Sequence, residues 1–236
     1  PNPVLVSSSS DSDIICWNLM NGNIIRVLSS HIGPVTSLVT SYAKIPVIVS
    51  GGDDWTLKVW DLRSGLLIKS MEGHDSEINV VAVSSDKSNP IVVSGAANGS
   101  IFVWDLLGLE LIFRLQSARD SYISDKSEIS SIAVTSGIFP LIVASSWTPS
   151  IHVWDSKSGG LLCVLRGAHI ERVCVVASGR DETGPVFISG GQDAVVAIWS
   201  PFEDLMSKTI LGHHNDRTIA DMSLEESLVL AGNYLC

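Results

Sequence analysis

The sequence predicts an all-β fold that is assembled from small, repeated sheets. Its apolar residues come in runs of about four to eight, separated by Gly, Ser, Asp and Pro, which is typical of short buried strands. A segment that ends in tryptophan recurs along the chain, and a histidine stands at a constant distance before most copies. With 236 residues, the chain is long enough to form one domain with a large apolar core.

The recurring segment is aligned by its tryptophan. Its copies are SSSSDSDIICWN (7–18), SGGDDWTLKVWD (50–61), SGAANGSIFVWD (94–105), ASSWTPSIHVWD (144–155) and SGGQDAVVAIWS (189–200). Successive tryptophans are 43, 44, 50 and 45 residues apart, and a histidine precedes three of them by 29 or 30 residues. Each unit therefore has room for four strands: one after the histidine, one before the Gly/Asp turn, one ending in tryptophan and one before the next histidine.

A single four-stranded sheet buries too little surface to be stable, so the units must pack face to face. The G-H…W-D pattern at this period resembles the WD40 repeat, whose family fold is the β-propeller. The resemblance covers residues 1–236 as one propeller segment, with repeat units ending near Trp17, Trp60, Trp104, Trp154 and Trp199 and a partial unit at 212–236. We expect an open arc of about five four-stranded blades cut from a larger propeller, with a compact five-bladed ring as the alternative. The first unit lacks its first strand.

The resemblance implies that each blade contains a hydrogen-bonded set of indole, hydroxyl, imidazole and carboxylate groups. The expected sets are His31, Ser50, Asp54 and Trp60; His74, Ser94, Asn98 and Trp104; and His169, Ser189, Asp193 and Trp199. Mutual pairing would spare these groups the cost of burial without a partner. The second set has an amide in place of the acid and should be weaker. The Trp154 unit has Asp125, Ala144 and Thr148 at the matching positions, so packing alone should hold it, after an insertion near 117–124.

Serine, histidine and aspartate could also form a hydrolytic triad. Such a triad needs an exposed serine on a strained turn beside an oxyanion hole. Ser50 instead ends a strand, its arrangement recurs in other units, and no G-x-S-x-G motif occurs. The four cysteines are scattered without the paired spacing of a zinc site. We therefore predict a protein with no catalytic residues, no metal and no cofactor.

The loops with the histidines and the turns with the acids should lie on one rim of the propeller. In WD40 proteins, as the resemblance implies, this rim commonly holds peptides or partner domains. Exposed aromatic and arginine side chains are favoured anchors of interfaces. The predicted partner-binding residues are Asp53, Trp55, Glu77, Glu128, Trp147, Glu171, Arg172, Gln192 and Arg217. The alternative for Trp55 and Trp147 is that both pack against neighbouring loops.

The net charge of −10 disfavours binding to nucleic acids and anionic membranes. No apolar run approaches the roughly 18 residues of a membrane-spanning helix. The predicted function is a non-catalytic scaffold that presents its rim to proteins or peptides bearing Lys or Arg, in a larger chain or complex. The alternatives are an enzyme with its active site at the central channel, and an RNA-binding propeller if Arg119, Arg172 and Arg217 cluster. We expect a cytoplasmic protein, with a nuclear location as the alternative.

Overall fold

The computed structural model describes residues 3–84, 86–115, 127–135, 140–180, 185–199 and 207–210. For residues 180, 185 and 207–210 it describes the backbone only. All regular secondary structure in these ranges is β-strand. The strands form five antiparallel sheets, in each of which hydrogen-bonded neighbours follow one another along the chain. The chain divides into two compact units, Pro1–Arg114 and Leu115–Cys236.

The first unit contains three sheets. The first sheet consists of β1 (Val4–Ser8), β2 (Asp13–Asn18) and β3 (Ile24–Ser29). The second consists of β4 (Val35–Ser41), β5 (Val47–Gly52), β6 (Leu57–Asp61) and β7 (Leu67–Met71). The third consists of β8 (Ile78–Val83), β9 (Ile91–Ala96), β10 (Ile101–Asp105) and β11 (Glu110–Leu115).

The second unit contains two sheets. One consists of β12 (Ile129–Val134), β13 (Leu141–Ser146), β14 (Ile151–Asp155) and β15 (Leu161–Leu165). The other consists of β16 (Val173–Arg180), β17 (Pro185–Gly191), β18 (Val196–Trp199) and β19 (Ser207–Ile210).

The predicted all-β fold of repeated sheets is confirmed. As expected for the repeat that ends near Trp17, β1 to β3 form a three-stranded sheet, whereas the other four sheets have four strands. That the chain forms one continuous propeller segment stays a prediction. The partial unit 212–236, Asp125, the insertion near 117–124, and Arg119 and Arg217 lie outside the described residues.

The central strands of the second, third and fourth sheets are buried on both faces, which explains their unbroken apolar sequences. In the second sheet, Val49 of β5 and Val59 of β6 share a core with Phe102 and Trp104 of the third sheet. The innermost strands β4 and β8 lie against each other. A Cβ atom on Gly51 would lie 2.6 Å from Cγ2 of Ile78, so only glycine allows the two sheets to come this close. The sheets of the first unit are therefore packed face to face.

The second unit is packed in the same way. Val143 and Val153 of its first sheet share a core with Phe187 and Trp199 of its second sheet. The inner strands β12 and β16 lie against each other. Valine and aromatic side chains thus fill the space between the two sheets of the second unit, as they do between sheets of the first unit.

Antiparallel pairing places every second connection at the same edge of the sheets. We call the edge that carries the histidine loops the histidine edge. In the first unit it comprises residues 9–12, 30–34, 53–56, 72–77 and 97–100, and in the second unit residues 147–150, 166–172 and 192–195. This edge contains most of the predicted functional residues.

Candidate interaction surface

The set around His31 links a loop, a strand end and a turn of the second sheet. Nε2 of His31 lies 2.7 Å from Oγ of Ser50, which also accepts a 3.0 Å hydrogen bond from the indole N–H of Trp60. Nδ1 of His31 lies 2.9 Å from Oδ2 of Asp54. The backbone N–H of Ile32 donates to the same carboxylate, at 3.1 Å. All four predicted members are in contact.

The set around His169 has the same geometry in the second unit. Nε2 of His169 lies 2.8 Å from Oγ of Ser189, and the indole N–H of Trp199 donates to that oxygen at 2.8 Å. Nδ1 of His169 lies 3.1 Å from Oδ1 of Asp193. The backbone N–H of Ile170 donates to Oδ2 of Asp193 at 2.9 Å, as Ile32 does to Asp54.

The set around His74 differs from the sequence-based expectation. Its histidine, Ser94 and Trp104 are joined as expected, with distances of 2.7 and 2.9 Å to Oγ of Ser94. Asn98, however, does not bind His74. It donates to Oδ1 of Asp75 at 2.6 Å, and Oγ of Ser100 takes its place 3.1 Å from Nδ1 of His74.

The cause lies in the residue two positions after the serine. A Cβ atom on Gly191 would lie 2.6 Å from Nδ1 of His169 and 2.5 Å from Oδ1 of Asp193, so glycine is required where histidine meets acid. Gly52 has the matching position beside His31. The third sheet has Ala96 there. The sequence pattern S-G-G-x-D, as opposed to S-G-A-x-N, was therefore a signal for the histidine–acid contact.

The Trp154 unit is not held by packing alone, in contrast to the sequence-based expectation. Hydroxyl groups of Ser146, Thr148 and Ser150 form a chain with distances of 3.0 and 2.9 Å. Oγ of Ser130 donates to the carbonyl of Val173 in the next sheet, at 2.8 Å. Short hydroxyl side chains thus provide polar links in this blade.

The sets are arranged for structure and not for nucleophilic attack. Ser50 and Ser94 are 0% exposed and Ser189 is 1% exposed, so none of these hydroxyls can be reached by a substrate. Each already accepts an indole N–H and contacts an imidazole. A triad serine needs an open face toward the substrate, which these serines lack.

Burial controls the protonation of His74 and His31. It lowers the pKa of His74 to about 4, an effect that the charge of Asp75 opposes and that of Arg114 reinforces. Burial also lowers the pKa of His31, and Asp54 offsets this effect only in part. For Asp54, burial acts to raise the pKa, but hydrogen bonds from Thr56, Ile32 and His31 outweigh it and hold the pKa below its ordinary value. The same balance lowers the pKa of Asp193. His31 is thus a neutral imidazole beside the ionised carboxylate of Asp54 at neutral pH.

Apart from Arg217, which lies outside the described residues, the predicted partner-binding residues lie at the histidine edge or, for Glu128, directly before β12, and most are exposed. Backbone hydrogen bonds join the turn and the histidine loop that carry several of these residues, and the same bond recurs from repeat to repeat. Ala97 donates to the carbonyl of Glu77, Trp147 to that of Glu128, and Gln192 to that of Arg172. Asp53, Glu77, Glu171 and Gln192 are exposed, whereas Glu128 and Arg172 are half-buried.

Trp55 occupies the residue after the acid of its turn. It is 48% exposed and has a φ of 64°, in the left-handed region that disfavours large side chains. The matching residues of three other sheets, Ser12, Gly99 and Ala194, also have positive φ and are small. The turn imposes this conformation, and only the second sheet fills it with an aromatic residue.

Trp147 differs from Trp55 because it has an intramolecular partner. The guanidinium carbon of Arg172 lies 4.6 Å from the centre of the Trp147 ring, although Trp147 is 55% exposed. Among the described residues no ring or guanidinium group stacks on Trp55. The alternative of packing against a neighbouring loop therefore applies to Trp147 and not, within the described part of the chain, to Trp55.

The repeated polar sets and paired sheets agree with comparisons to known proteins. The sequence profile of the "Nucleolar protein 10-like, N-terminal domain" family, a β-propeller domain, matches residues 1–202. The chain belongs to this β-propeller family. It is also 33% identical over 78 residues to nuclear distribution protein nudF 1 of Talaromyces marneffei, a match that covers 33% of this chain and 17% of that protein. The resemblance to WD40-repeat propellers is thereby confirmed.

Charge is unevenly distributed in the first unit of this propeller domain. At its histidine edge the loops carry acids at Asp11, Asp53, Asp54, Glu72, Asp75 and Glu77, and neither lysine nor arginine. The loops at the opposite edge carry Lys44, Arg63 and Lys87 and one acid, Asp86. In the second unit, the histidine edge carries both signs, with Arg166, Glu171, Arg172 and Asp193.

The described ranges of the propeller domain contain neither a metal-binding cluster nor a membrane-spanning helix. No group of three or more His, Cys, Asp or Glu residues there has the arrangement of a metal site. Nor do those residues include a helix with the length and apolarity needed to cross a bilayer.

Proposed function

We propose that this propeller domain is a non-catalytic protein-interaction scaffold, and that the histidine edge of its first unit binds a protein segment bearing lysine or arginine. The observation that supports this most strongly is Trp55, a half-exposed indole in a left-handed turn position. A large residue there costs on the order of 1 kcal/mol relative to glycine. A partner that binds the indole gives a physical reason for keeping it.

The surroundings of Trp55 favour a cation over an anion. Asp53 is its exposed neighbour in the same turn, and the next histidine loop contributes exposed Asp75 and Glu77. No salt bridge within the described residues neutralises Asp53 or Glu77. Acidic groups around an aromatic face attract a lysine or arginine both by charge and by the ring quadrupole.

The second unit provides an internal example of the same contact. There Arg172 of one loop lies over Trp147 of a neighbouring turn, at the histidine edge. A guanidinium group on a tryptophan is therefore compatible with the spacing of loops at this edge. In the first unit the corresponding cation would come from the partner.

The family supports a location for this scaffold. The matching family is described as nucleolar protein 10-like. On that basis we place the protein in the nucleus, at the nucleolus, in preference to the cytoplasm. Fluorescence imaging of the protein tagged at its own gene would test this, and signal spread evenly through the cytoplasm would contradict it.

The binding proposal is tested with a capped decapeptide of alternating arginine and glycine. We expect saturable binding to the complete chain, and a loss of about tenfold in affinity for Trp55→Gly, because a cation–π contact is removed. Tyr42→Ala is the matched control, since Tyr42 is an exposed aromatic residue in a loop at the opposite edge. Fluorescence anisotropy with labelled peptide measures both affinities.

A glutamate–glycine peptide of the same length separates specific from general binding. The proposal would be wrong if Trp55→Gly and Tyr42→Ala bound the arginine peptide equally well. Equal affinity of the wild-type chain for the acidic peptide would also contradict it.

A further inference from the structure

The pair of Arg172 and Trp147 in the second unit has properties that packing alone does not explain. The guanidinium group lies 4.6 Å from the ring centre, and the indole remains 55% exposed on its other surfaces. Nε of Arg172 is buried and has no hydrogen-bond acceptor. A buried donor without an acceptor is costly, so the stack is not an optimised internal contact.

The charge of Arg172 is also not neutralised internally. Glu171 is its exposed neighbour in the chain, yet no carboxylate of the described residues lies within ion-pair distance of the Arg172 side chain. Arginine on a tryptophan face keeps its in-plane N–H groups directed away from the ring, where they can donate in parallel to two oxygens. Because Nε is buried, the Nη N–H groups of Arg172 are the ones that can donate to an anion.

The backbone fixes both members of the pair. The N–H of Trp147 donates to the carbonyl of Glu128 at 3.1 Å, and the carbonyl of Arg172 accepts from the N–H of Gln192 at 3.0 Å. The N–H of Val173, next to Arg172, donates to the carbonyl of Thr148, next to Trp147, at 3.1 Å. Because these bonds join the two loops, the side chains are positioned before any partner arrives, which lowers the entropic cost of binding.

We infer that Arg172, held against Trp147, binds the carboxylate of an aspartate or glutamate side chain in a partner protein. This inference rests on the proposed role of the histidine edge as a docking surface. It adds a second contact of opposite sign: the first unit receives a cation at Trp55, and the second unit receives a carboxylate at Arg172. An RNA phosphate is disfavoured because the chain has a net charge of −10.

The test is an NMR titration of the complete chain with capped pentapeptides Gly-Gly-X-Gly-Gly, where X is Glu or Gln. The Glu peptide should shift the Trp147 indole N–H and the Arg172 Nε–H resonances saturably, and the Gln peptide should not. Arg172→Gln should weaken binding of the Glu peptide by about tenfold or more, because two charge-assisted hydrogen bonds are lost. Arg172→Lys should give an intermediate loss, since lysine keeps the charge without the fork.

The controls separate this inference from the proposed function. Lys157→Gln removes an exposed positive charge from the opposite edge of the same unit and should leave binding of the Glu peptide unchanged. Trp55→Gly should also leave it unchanged while weakening the arginine peptide. The inference would be overturned if Arg172→Gln and the wild type bound the Glu peptide equally well, or if the Gln peptide shifted the two resonances as much as the Glu peptide does. A uridine oligonucleotide that shifted them at lower concentrations than the Glu peptide would also overturn it. An uncapped Gly-Gly-Gly-Gly-Gly peptide that binds as well as the Glu peptide would also overturn it, in favour of a terminal carboxylate.

Discussion

A Cβ atom on Gly52 would lie 3.2 Å from Nδ1 of His31. The same atom would lie 2.6 Å from the carbonyl oxygen of Pro34. Gly52 therefore leaves space for the contact between His31 and Asp54, in which Nδ1 lies 2.9 Å from Oδ2. The third sheet has Ala96 at the matching position, and there His74 contacts a serine hydroxyl in place of a carboxylate.

This relationship predicts the effect of Gly52→Ala. The added methyl group clashes with backbone and imidazole, so we expect a loss of about 1–3 kcal/mol in the free energy of unfolding. Ala96→Gly is the matched control, and it should cost no more than about 1 kcal/mol through backbone entropy. Urea denaturation measures both values. A Gly52→Ala variant as stable as the wild type would show that the contact does not need this space.

Asp54→Ala should destabilise the second sheet. The substitution leaves the imidazole of His31, the N–H of Ile32 and the hydroxyl of Thr56 without their acceptor. We expect a loss of about 1–3 kcal/mol in the free energy of unfolding. Asp53→Ala, which removes the exposed neighbouring carboxylate, is the control and should change stability by less than about 0.5 kcal/mol. Equal effects of the two substitutions would contradict a structural role for the set.

Stability should fall as the pH is lowered from about 6.5 to about 4, in part because of His74. The unfolded chain takes up a proton near the ordinary histidine pKa of 6.5, whereas folded His74 stays neutral down to about 4. Between these values protonation favours unfolding, with a slope of up to about 1.4 kcal/mol per pH unit. His31 acts in the same direction, and the lowered pKa of Asp54 acts only at lower pH.

His74→Gln should reduce this slope without abolishing it. Unfolding free energies measured by urea denaturation at half-unit pH intervals give the slope directly. An identical slope for the variant and the wild type would show that His74 does not exclude a proton in the folded state.

Much of the fold could be predicted from the sequence because the repeat encodes it several times. The tryptophans that recur every 43 to 50 residues and the apolar runs between Gly/Asp turns determine the strands. Each repeat must pack its central strands against a neighbouring sheet, so one pattern recurs along the chain.

The site was less predictable because its details depend on single atoms. The alignment on tryptophan shows that the third sheet has Ala96 and Asn98 in place of glycine and aspartate, but not that Ser100 then contacts His74. The stack of Arg172 on Trp147 joins residues of two neighbouring sheets, so it depends on how the sheets pack. The left-handed φ of Trp55 could have been inferred from Gly99 at the matching position of the next repeat.

The recurring polar sets stabilise the sheets, whereas Trp55 is proposed to act in binding. The most direct measurement compares Ser50→Ala and Trp55→Gly, each for its unfolding free energy and its affinity for the arginine–glycine peptide. Ser50→Ala should lose about 1–3 kcal/mol of stability and keep its affinity, because the indole of Trp60 and the imidazole of His31 lose their shared partner. Trp55→Gly should keep its stability or gain about 1 kcal/mol and lose affinity by about tenfold. Full stability with lost binding in Ser50→Ala, or lost stability with intact binding in Trp55→Gly, would contradict the account.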